Sequence, residues 1–344
     1  MPTLRDVARL AGVSISTVSH VLNKYDDINE ETRQKVLAAI KKLDYHANSM
    51  ARGLIKNKSS LIGLILFGEG IGHPFFHQVV RGTIDEVEKR DRNAILSTVP
   101  HDGYEAAPIF RKMHEHRLEG LIVLGLPEGH AAMARILNSK IPTLFVDAVV
   151  EGERIGSIRS DNFRGAFLAT DHLLQLGHTR IAFVNEASEA AIFEERFRGY
   201  LAAHEKWGVE FNPALYIKTG NYRVEGYRAA RELFERDRQV TAIFASSDRL
   251  AFGVMDELRR AGLQVPQDVS VVGFDDIELA CFANPPLTTV RQNGNLMGER
   301  AAKELVAMLE DPEYTPAPIL IDTELMVRES TGPVRGINAR LSSA

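Results

Sequence analysis

The sequence predicts a small all-α unit followed by a larger α/β unit of doubly wound sheets. Up to about residue 45, apolar residues recur at the three- and four-residue spacing of helices. Beyond about residue 60, short apolar runs alternate with amphipathic segments, which is typical of parallel strands buried on both faces. At roughly 150 residues per domain, a chain of 344 residues has room for two to three compact units.

The first 23 residues predict two short helices joined by a tight turn. Thr3 stands three residues before Asp6, the spacing of a capping box that satisfies free N–H groups at a helix start. Gly12 can adopt the left-handed conformation that ends a helix, and Ser14 can cap a second helix over residues 15–22. This pattern favours a helix-turn-helix.

A third helix is expected over residues 30–43, with Asn29 as its cap. The apolar residues expected in a three-helix core are Val7, Ala8, Leu10, Ala11, Val18, Val21, Leu22, Val36, Leu37, Ile40 and Leu43. The opposite face of the second helix carries Ser16, Thr17 and His20, whose side chains can hydrogen-bond base edges and phosphates.

The charge distribution favours contact of this first unit with nucleic acid. Residues 1–60 hold ten Lys/Arg and six Asp/Glu, a net charge of +4, whereas the whole chain carries −5 and the remainder therefore −9. A basic N-terminal unit attached to an acidic remainder is suited to contact phosphates through that unit alone. On helix spacing alone, an ordinary helical bundle stays open as an alternative.

Several segments carry a resemblance to a known family: LRDVA at 4–8, AGVS at 11–14, TVSHVLN at 17–23, TRQKV at 32–36, AIKKLDY at 39–45 and ANSMARGL at 47–54. In these segments, and over nearly its whole length, the chain resembles the LacI/GalR family of lactose, galactose and purine repressors. The resemblance implies a DNA-binding headpiece and a periplasmic-binding-protein-like α/β sensor of two doubly wound lobes.

The resemblance also implies which residues contact double-stranded operator DNA. Base contacts are expected from Ser16, Thr17 and His20, with Ile15 at a position where a polar residue is frequent in the family. Phosphate contacts are expected from Ser14, Ser19, Asn23 and Tyr45. The full expected interface is Thr3, Ser14, Ile15, Ser16, Thr17, Ser19, His20, Asn23, Tyr45, Ala51 and Leu54.

The segment after the headpiece is predicted to be a hinge. Residues 48–56 can make barely two helical turns and include Gly53, and isolated helices shorter than ~12–15 residues are marginal in water. We therefore expect this segment to become helical on DNA. The resemblance implies that Leu54 wedges into the minor groove, a contact that kinks DNA at modest cost.

The predicted organisation is a headpiece (1–46), a hinge and linker (47–60), a sensor (61–331) and a tail (332–344). By resemblance, lobe 1 takes about 61–160 and 292–322, and lobe 2 takes about 161–291 and 323–331. Strands are expected at 61–67, 94–98, 120–124, 143–146, 181–184, 241–245 and 269–274, and helices at 74–90, 162–176, 223–236, 249–261 and 296–309.

Ligands of such sheets bind outside the carboxyl ends of the strands. The family resemblance implies an aromatic residue for stacking, which Phe75 or Phe76 matches, an arginine that Arg196 matches, and a carboxylate that Asp275 matches. The full expected effector set is His73, Phe75, Phe76, Asp147, Arg196, Tyr222, Asp248 and Asp275. Carboxylates with one arginine suit a polyhydroxylated ligand, because each buried donor and acceptor needs a partner.

A sugar or sugar derivative is the favoured small-molecule effector. Purine-responsive members of the family place an arginine and a threonine where this chain has Ala190 and Ile192. A purine-responsive repressor is the alternative. We expect a homodimer, because a single headpiece reads a short half-site and two predict a pseudo-palindromic operator. First-lobe helices near residues 74–116 are candidates for the dimer surface.

Other classes of protein fit less well. Cys281 is the one cysteine, so the chain has neither a disulfide framework nor a cysteine-based metal site, and no catalytic constellation or cofactor motif stands out. We expect a protein that is not an enzyme. A secreted sugar-binding protein without a DNA role is a structural competitor, but the sequence shows no apolar secretion segment and no window of transmembrane length. A cytoplasmic regulator with no membrane partner is predicted.

Overall fold

The computed structural model describes residues 2–22, 25, 27–45, 59–68, 70–99, 111, 113–127, 129–188 and 190–334. The chain divides into two compact units, Met1–Ser60 and Leu61–Ala344. The predicted contacts of Asn23, Ala51 and Leu54, and nearly all of the predicted hinge, lie outside the described residues.

The described residues of the first unit form three helices, α1 (Leu4–Ala11), α2 (Ile15–Leu22) and α3 (Glu30–Lys42). The capping box is present: the Thr3 hydroxyl accepts from the Asp6 N–H, and the Asp6 carboxylate accepts from the Thr3 N–H at 2.8 Å. Gly12 ends α1 at φ 68°, and Ser14 Oγ caps α2 by accepting from the Thr17 N–H at 3.0 Å. The predicted helices and caps are therefore confirmed.

The core of this unit is smaller than the sequence predicts. Its buried residues are Val7, Ala8, Val18, Val21, Val36 and Ala39. Leu10 and Leu37 were expected there, and this prediction is wrong, because they are 43% and 44% exposed. Each residue turns an α-helix by about 100°, so Leu37 points well away from its buried neighbour Val36.

The first sheet of the second unit has six parallel strands in the order β11-β5-β4-β3-β1-β2. The strands are β1 (Leu61–Phe67), β2 (Asn93–Val99), β3 (Gly120–Leu124), β4 (Thr143–Val146), β5 (Ile155–Ser160) and β11 (Ile319–Ile321). The adjoining helices are α4 (Pro74–Lys89), α5 (Ala131–Asn138) and α11 (Gly294–Glu310). Apolar cores on both faces of this sheet make it the centre of one lobe.

The second sheet has the order β12-β10-β9-β8-β6-β7, and β12 alone runs antiparallel to its neighbour. Its strands are β6 (Ile181–Glu186), β7 (Tyr216–Thr219), β8 (Ala242–Ala245), β9 (Ser270–Asp275), β10 (Thr288–Arg291) and β12 (Glu324–Met326). The helices around it are α6 (Asn162–Gln175), α7 (Ala191–Trp207), α8 (Arg223–Arg236), α9 (Asp248–Arg260) and the short α10 (Leu279–Phe282). This sheet centres the other lobe.

Glycines allow the helices of each lobe to pack backbone against backbone. A Cβ on Gly82 in α4 would lie 2.0 Å from the carbonyl oxygen of Asn295 in α11. In the other lobe, a Cβ on Gly226 in α8 would lie 2.1 Å from the carbonyl oxygen of Leu250 in α9. Both lobes therefore use the same close helix packing.

The chain passes between the lobes near Asp161. The Asp161 N–H donates to the carbonyl oxygen of Ile321 at 2.8 Å, and the Thr323 hydroxyl donates to the carbonyl oxygen of Asp161 at 3.1 Å. Ile321 ends β11 in the first sheet, whereas β12 of the second sheet begins three residues later. Two crossing segments are thus hydrogen-bonded side by side.

All seven predicted strands and five predicted helices of the sensor are present, within two residues at each end. The sequence prediction missed the elements β5, β7, β10, β11, β12, α5, α7 and α10. Four of the missed strands have only three or four residues, too few to show a periodic pattern. They form by pairing with strands that are distant in sequence.

Candidate functional site

The outer face of α2 presents a cluster of small polar side chains. Ser14 Oγ lies 2.6 Å from Ser16 Oγ and 2.8 Å from Thr17 Oγ1, and Ile15 beside them is exposed. His20 Nδ1 lies 2.8 Å from the Asp27 carboxylate, a contact that the sequence analysis did not foresee. Five of the predicted DNA-contacting residues therefore share one accessible surface.

The other predicted DNA-contacting residues in the described part of this unit are Thr3, Ser19 and Tyr45, and their environments differ. Thr3 is exposed, but its hydroxyl is engaged in capping α1. Ser19 is half-buried, and Tyr45 packs with half-buried apolar residues against the three-helix core. These two side chains therefore have part of their surface inside the headpiece.

The second unit contains a cavity of about 130 Å³ that is lined by both lobes. Its first-lobe wall consists of Phe67, His73, Phe75, Phe76, Gly125, Leu126, Pro127 and Asp147. Its second-lobe wall consists of Glu186, Ser188, Ala190, Ile192, Phe193, Arg196, Asn221, Ser247 and Asp275, and Gln292 completes the lining. Several of these residues lie at or just after the carboxyl ends of parallel strands, as expected for this architecture.

The first-lobe wall is mainly aromatic. Phe75 belongs to the apolar core of the lobe, and its ring centroid lies 6.1 Å from that of Phe76. The Phe76 ring packs closely against Gly125, where an added Cβ would lie 2.7 Å from Phe76 Cζ. Gly125 also has a φ of +67°, which favours glycine. This wall offers a ring face for stacking on the apolar side of a ligand.

Arg196 is held rigidly in the second-lobe wall. Its Nε donates to Asn162 Oδ1 at 2.9 Å, and its Nη1 donates to the carbonyl oxygen of Ser246 at 2.5 Å. Its guanidinium carbon lies 3.8 Å from the centroid of the Phe274 ring. Burial lowers the pKa of Arg196, and the nearby carboxylates of Asp275 and Asp147 act against this shift.

Two buried carboxyl groups face this arginine. Burial raises the pKa of Asp147 and of Asp275 to about 6 each, and the charge of Arg196 opposes both shifts. Both residues follow or end a strand with positive φ, 58° for Asp147 and 119° for Asp275. Such conformations cost free energy and are concentrated at functional sites.

Two acceptor atoms around the cavity have no hydrogen-bond partner among the described residues: Asp147 Oδ1 and Gln292 Oε1. The other end of the Gln292 amide is engaged, because its Nε2 donates to Asp275 Oδ1 at 2.7 Å. Buried polar atoms are nearly always hydrogen-bonded. The arrangement can therefore bind a small molecule that presents O–H or N–H donors.

The cavity brings together six of the eight predicted effector contacts, and its lining leaves out the other two, Asp248 and Tyr222. Asp248 does not line the cavity: its carboxylate accepts from the Ile277 N–H at 2.8 Å and from the Thr289 hydroxyl at 2.5 Å. It therefore fixes the backbone after β9. Tyr222 is half-exposed and does not line the cavity. Its ring centroid lies 4.8 Å from the guanidinium carbon of Arg249.

Sequence reasoning missed several lining residues, above all Glu186 and Gln292. Glu186 ends β6, two residues beyond the predicted strand end, and Gln292 follows β10, which was not predicted. The one available signal was the rule that strand ends carry ligand contacts. It would have selected both residues had the strand ends been known.

A larger cavity, of about 590 Å³, adjoins this site and shares Gln292 with it. Its charged lining includes Arg291, whose Nε donates to the Asp276 carboxylate at 2.7 Å. Because this pair already satisfies its members and none of the predicted contacts lies there, we take the smaller cavity as the functional site.

Two further properties bear on the class of protein. Across the described ranges, no helix is both long enough and apolar enough to cross a membrane. Within the same residues, no group of three or more His, Cys, Asp or Glu side chains is arranged to hold a metal ion.

A helix-turn-helix with an exposed polar face, joined in one chain to a two-lobed ligand-binding unit, defines a ligand-responsive DNA-binding regulator. Two family models agree. Residues 3–48 match the model for bacterial regulatory proteins of the lacI family, and residues 170–331 match the periplasmic binding protein-like domain.

Full-length relatives extend this match. The chain is 35% identical to the ribose operon repressor of Escherichia coli K12, covering 96% of this chain and 100% of the relative. It is 30% identical to the transcriptional repressor PurR of Aliivibrio fischeri, covering 96% and 98%. The crystal structure of the lac repressor dimer bound to operator and the anti-inducer ONPF matches with a TM-score of 0.84 and 28% identity, covering 96% and 99%.

The chain therefore belongs to the LacI family of bacterial transcriptional regulators. It is a DNA-binding repressor whose activity a small-molecule effector controls. The predicted fold class and family are confirmed, and so is the prediction that the chain is not an enzyme, because its relatives are transcriptional repressors.

Proposed function

We propose that the effector is a sugar that binds in the cavity between the lobes and thereby changes the affinity of a homodimer for its operator. The observation that carries this proposal is the pair of buried acceptors that have no partner within the described part of the chain, Asp147 Oδ1 and Gln292 Oε1, beside the fixed guanidinium of Arg196. Hydroxyl groups on a sugar ring supply donors for the two acceptors and acceptors for the arginine.

The opposite wall and the size of the cavity also support a sugar. Phe76 offers an aromatic face to the C–H side of a sugar ring. Pockets for drug-sized ligands measure about 300–1,000 Å³, so the 130 Å³ here suits one small ring. Ribose is the first ligand to test, since the relative from Escherichia coli is named for the ribose operon.

A purine effector is the alternative, because PurR proteins are also among the relatives. The residues that line the cavity argue against a purine effector. Ala190 and Ile192 occupy the positions where the family resemblance implies an arginine and a threonine in purine-responsive members, and both line the cavity. Neither side chain can hydrogen-bond a purine base.

On the DNA side, we propose that Ser16, Thr17 and His20 contact base edges in the major groove, with Ile15 against a thymine methyl. Phosphate contacts then come from Ser14, Ser19, Asn23 and Tyr45. Thr3, Ala51 and Leu54 complete the interface, with Leu54 as the minor-groove wedge. This activity belongs in the bacterial cytoplasm, where the operator DNA lies.

A second copy of the chain completes a pseudo-palindromic DNA reader. The related lac repressor is a dimer on its operator. In this chain, Leu279 and Phe282 of α10 are 62% and 74% exposed, the highest exposures among its described large apolar side chains. This second-lobe surface supports dimerisation, in addition to the surface expected near residues 74–116.

The experiment measures operator binding by fluorescence anisotropy while ribose or hypoxanthine is titrated into the full-length protein. An operator selected from genomic DNA serves as probe, and steep salt dependence checks that phosphates are contacted. We expect ribose to shift operator affinity about 5–150-fold, the usual range of allosteric coupling. A response to hypoxanthine without any response to sugars would overturn the proposal.

Two arginines on α7 provide a matched pair of variants for this experiment. Arg196→Ala removes the guanidinium from the cavity, whereas Arg198→Ala removes an exposed one two residues away. The first variant should bind operator without responding to ribose, and the second should respond normally. A normal response in both would place the effector elsewhere.

A further inference from the structure

The ionisable groups around the cavity are unbalanced. Among its described lining residues, Asp147, Glu186 and Asp275 carry carboxylates, and Arg196 is the one guanidinium or ammonium group. A fourth carboxylate, that of Asp248, lies buried behind the lining. All four act electrostatically on Arg196. The lining itself therefore carries three carboxyl groups against one guanidinium before any ligand enters.

The positive charge of Arg196 is also largely committed to the protein. Two of its nitrogens donate to Asn162 and to the Ser246 carbonyl oxygen, and its plane lies against the Phe274 ring. The raised pKa of Asp147 and of Asp275 shows that burial outweighs the opposing charges of Arg196 on both, of Arg159 on Asp147 and of Arg249 on Asp275. The described lining residues include no lysine and no second arginine to receive an anion.

A phosphate ester would meet two obstacles here. It carries about −1.5 to −2 charge at pH 7, which would lie beside carboxylates in a site that screens charge poorly. Its terminal oxygens are also acceptors, whereas Asp147 Oδ1 and Gln292 Oε1 need donors. An uncharged ring with free hydroxyl groups meets neither obstacle.

We propose that the cavity selects its ligand by charge, accepting a free monosaccharide and rejecting the phosphate ester of the same sugar, with Glu186 as a specificity-determining residue. This inference rests on the proposed sugar function. Glu186 is suited to the role because it is half-buried at the end of β6 and lines the cavity. The proposal assigns the sugar hydroxyl groups to other acceptors, so Glu186 can act through its charge.

The test compares matched pairs of ligands by isothermal titration calorimetry on the full-length protein. The pairs are ribose with ribose 5-phosphate, glucose with glucose 6-phosphate and fructose with fructose 6-phosphate, and hypoxanthine is included. Because like-charge contacts cost several kcal/mol and about 1.4 kcal/mol is tenfold, we expect the best-bound sugar to exceed its phosphate at least 100-fold in affinity.

Two isosteric variants locate the effect. Glu186→Gln removes a charge from the lining, and Glu194→Gln removes one from an exposed position at the start of α7. Glu186→Gln should lower the ratio of the sugar's affinity to that of its phosphate ester at least tenfold. Glu194→Gln should leave this ratio unchanged. Equal narrowing in both would show that net charge rather than Glu186 sets the preference.

The outcomes separate this inference from the function on which it rests. If a phosphate ester binds as tightly as its free sugar, charge selection is wrong while the sugar-responsive function stands. If hypoxanthine binds and none of the six sugars does, the proposed function itself fails. The ratio measured on the wild-type protein decides between these outcomes, so the test does not depend on either variant folding.

Discussion

The DNA-reading face and the effector cavity use polar side chains in opposite ways. On α2, Ser14, Ser16 and Thr17 are at or near the surface and hydrogen-bond mainly to one another. In the cavity, Arg196 and Asp275 are buried, Asp147 is half-buried with its Oδ1 atom enclosed, and burial shifts the pKa of each. Polar groups at the surface can exchange water for a ligand at little cost, whereas buried ones must be held by the protein beforehand.

This contrast implies that DNA binding and stability can be changed independently on the face of α2. In the effector cavity, the ligand response and stability should change together. Changes to the face of α2, apart from its cap Ser14, should alter DNA binding with little effect on unfolding. Changes to the charged groups of the cavity should alter both the ligand response and the free energy of unfolding. Four predictions test this contrast.

The largest effect is expected from Arg196→Ala. Removing one partner from a buried charge cluster costs about 3–5 kcal/mol, because the carboxylates left behind lose their counter-charge. Chemical denaturation of the full-length protein measures this loss, and Arg198→Ala, exposed on the same helix, is the control. A variant as stable as the wild type would show that Arg196 does not offset these carboxylates.

The next effect is a pH dependence that Asp147 contributes. Its pKa is raised in the folded protein to about 6, above the ordinary value of 3.8, so between these values the folded state binds more protons than the unfolded state. Its contribution to stability is therefore complete below about pH 4 and is lost as the pH rises through 6. At 1.36 kcal/mol per pKa unit, the loss is roughly 3 kcal/mol.

Asp147→Asn isolates this contribution, because asparagine does not titrate. We expect the unfolding free energy of the wild type to fall relative to that of the variant from pH 4 to pH 7. Above pH 7 the difference between the two should stay constant. Urea denaturation across this range supplies the numbers. Parallel curves for the two proteins would mean that Asp147 has an ordinary pKa.

A smaller effect, and one without a stability component, is expected for Ser16→Ala on α2. A base contact is worth about 1–3 kcal/mol of discrimination, so operator affinity should fall about 5- to 150-fold while affinity for unrelated DNA stays the same. Equal losses on both DNAs would assign Ser16 to the phosphate backbone. The melting temperature should not change.

The smallest effect is expected at the cap of α2. Ser14→Ala removes the acceptor of the Thr17 N–H and should destabilise the helix by about 1 kcal/mol, measurable as faster hydrogen exchange of the α2 amides. Ser14→Asp restores a capping oxygen but places a negative charge where phosphate contact is proposed. It should recover the protection of the amides and still bind DNA weakly, and recovery of both would remove Ser14 from the interface.

The same contrast explains how much could be predicted from the sequence. The headpiece helices were predicted to within one residue because Thr3, Ser14 and Asn29 act on groups only three residues away. Arg196 and Asp275 were identified through the family resemblance. Glu186 and Gln292 were not, because their place depends on where the strands of a distant pairing end.

The position of Asp248 behind the cavity lining shows a second limit. A carboxylate that follows a strand can face a ligand, or it can turn to its own backbone, as Asp248 does toward Ile277. The two outcomes share one sequence pattern and differ only in the positions of residues about 30 and 40 places further on, Ile277 and Thr289. Local pattern therefore predicts that such a residue matters but not what it binds.

The strand β11 has a consequence for the synthesis of the protein. It pairs with β5 across about 160 residues of chain, and α11, which packs over the same sheet, also comes after residue 290. A growing chain that has completed β1 to β5 thus still exposes the apolar surface that α11 will cover. Since domains fold during synthesis once their parts are available, lobe 1 begins first on the ribosome but cannot finish until most of lobe 2 has been made. A nascent chain halted before residue 290 should therefore remain dependent on chaperones.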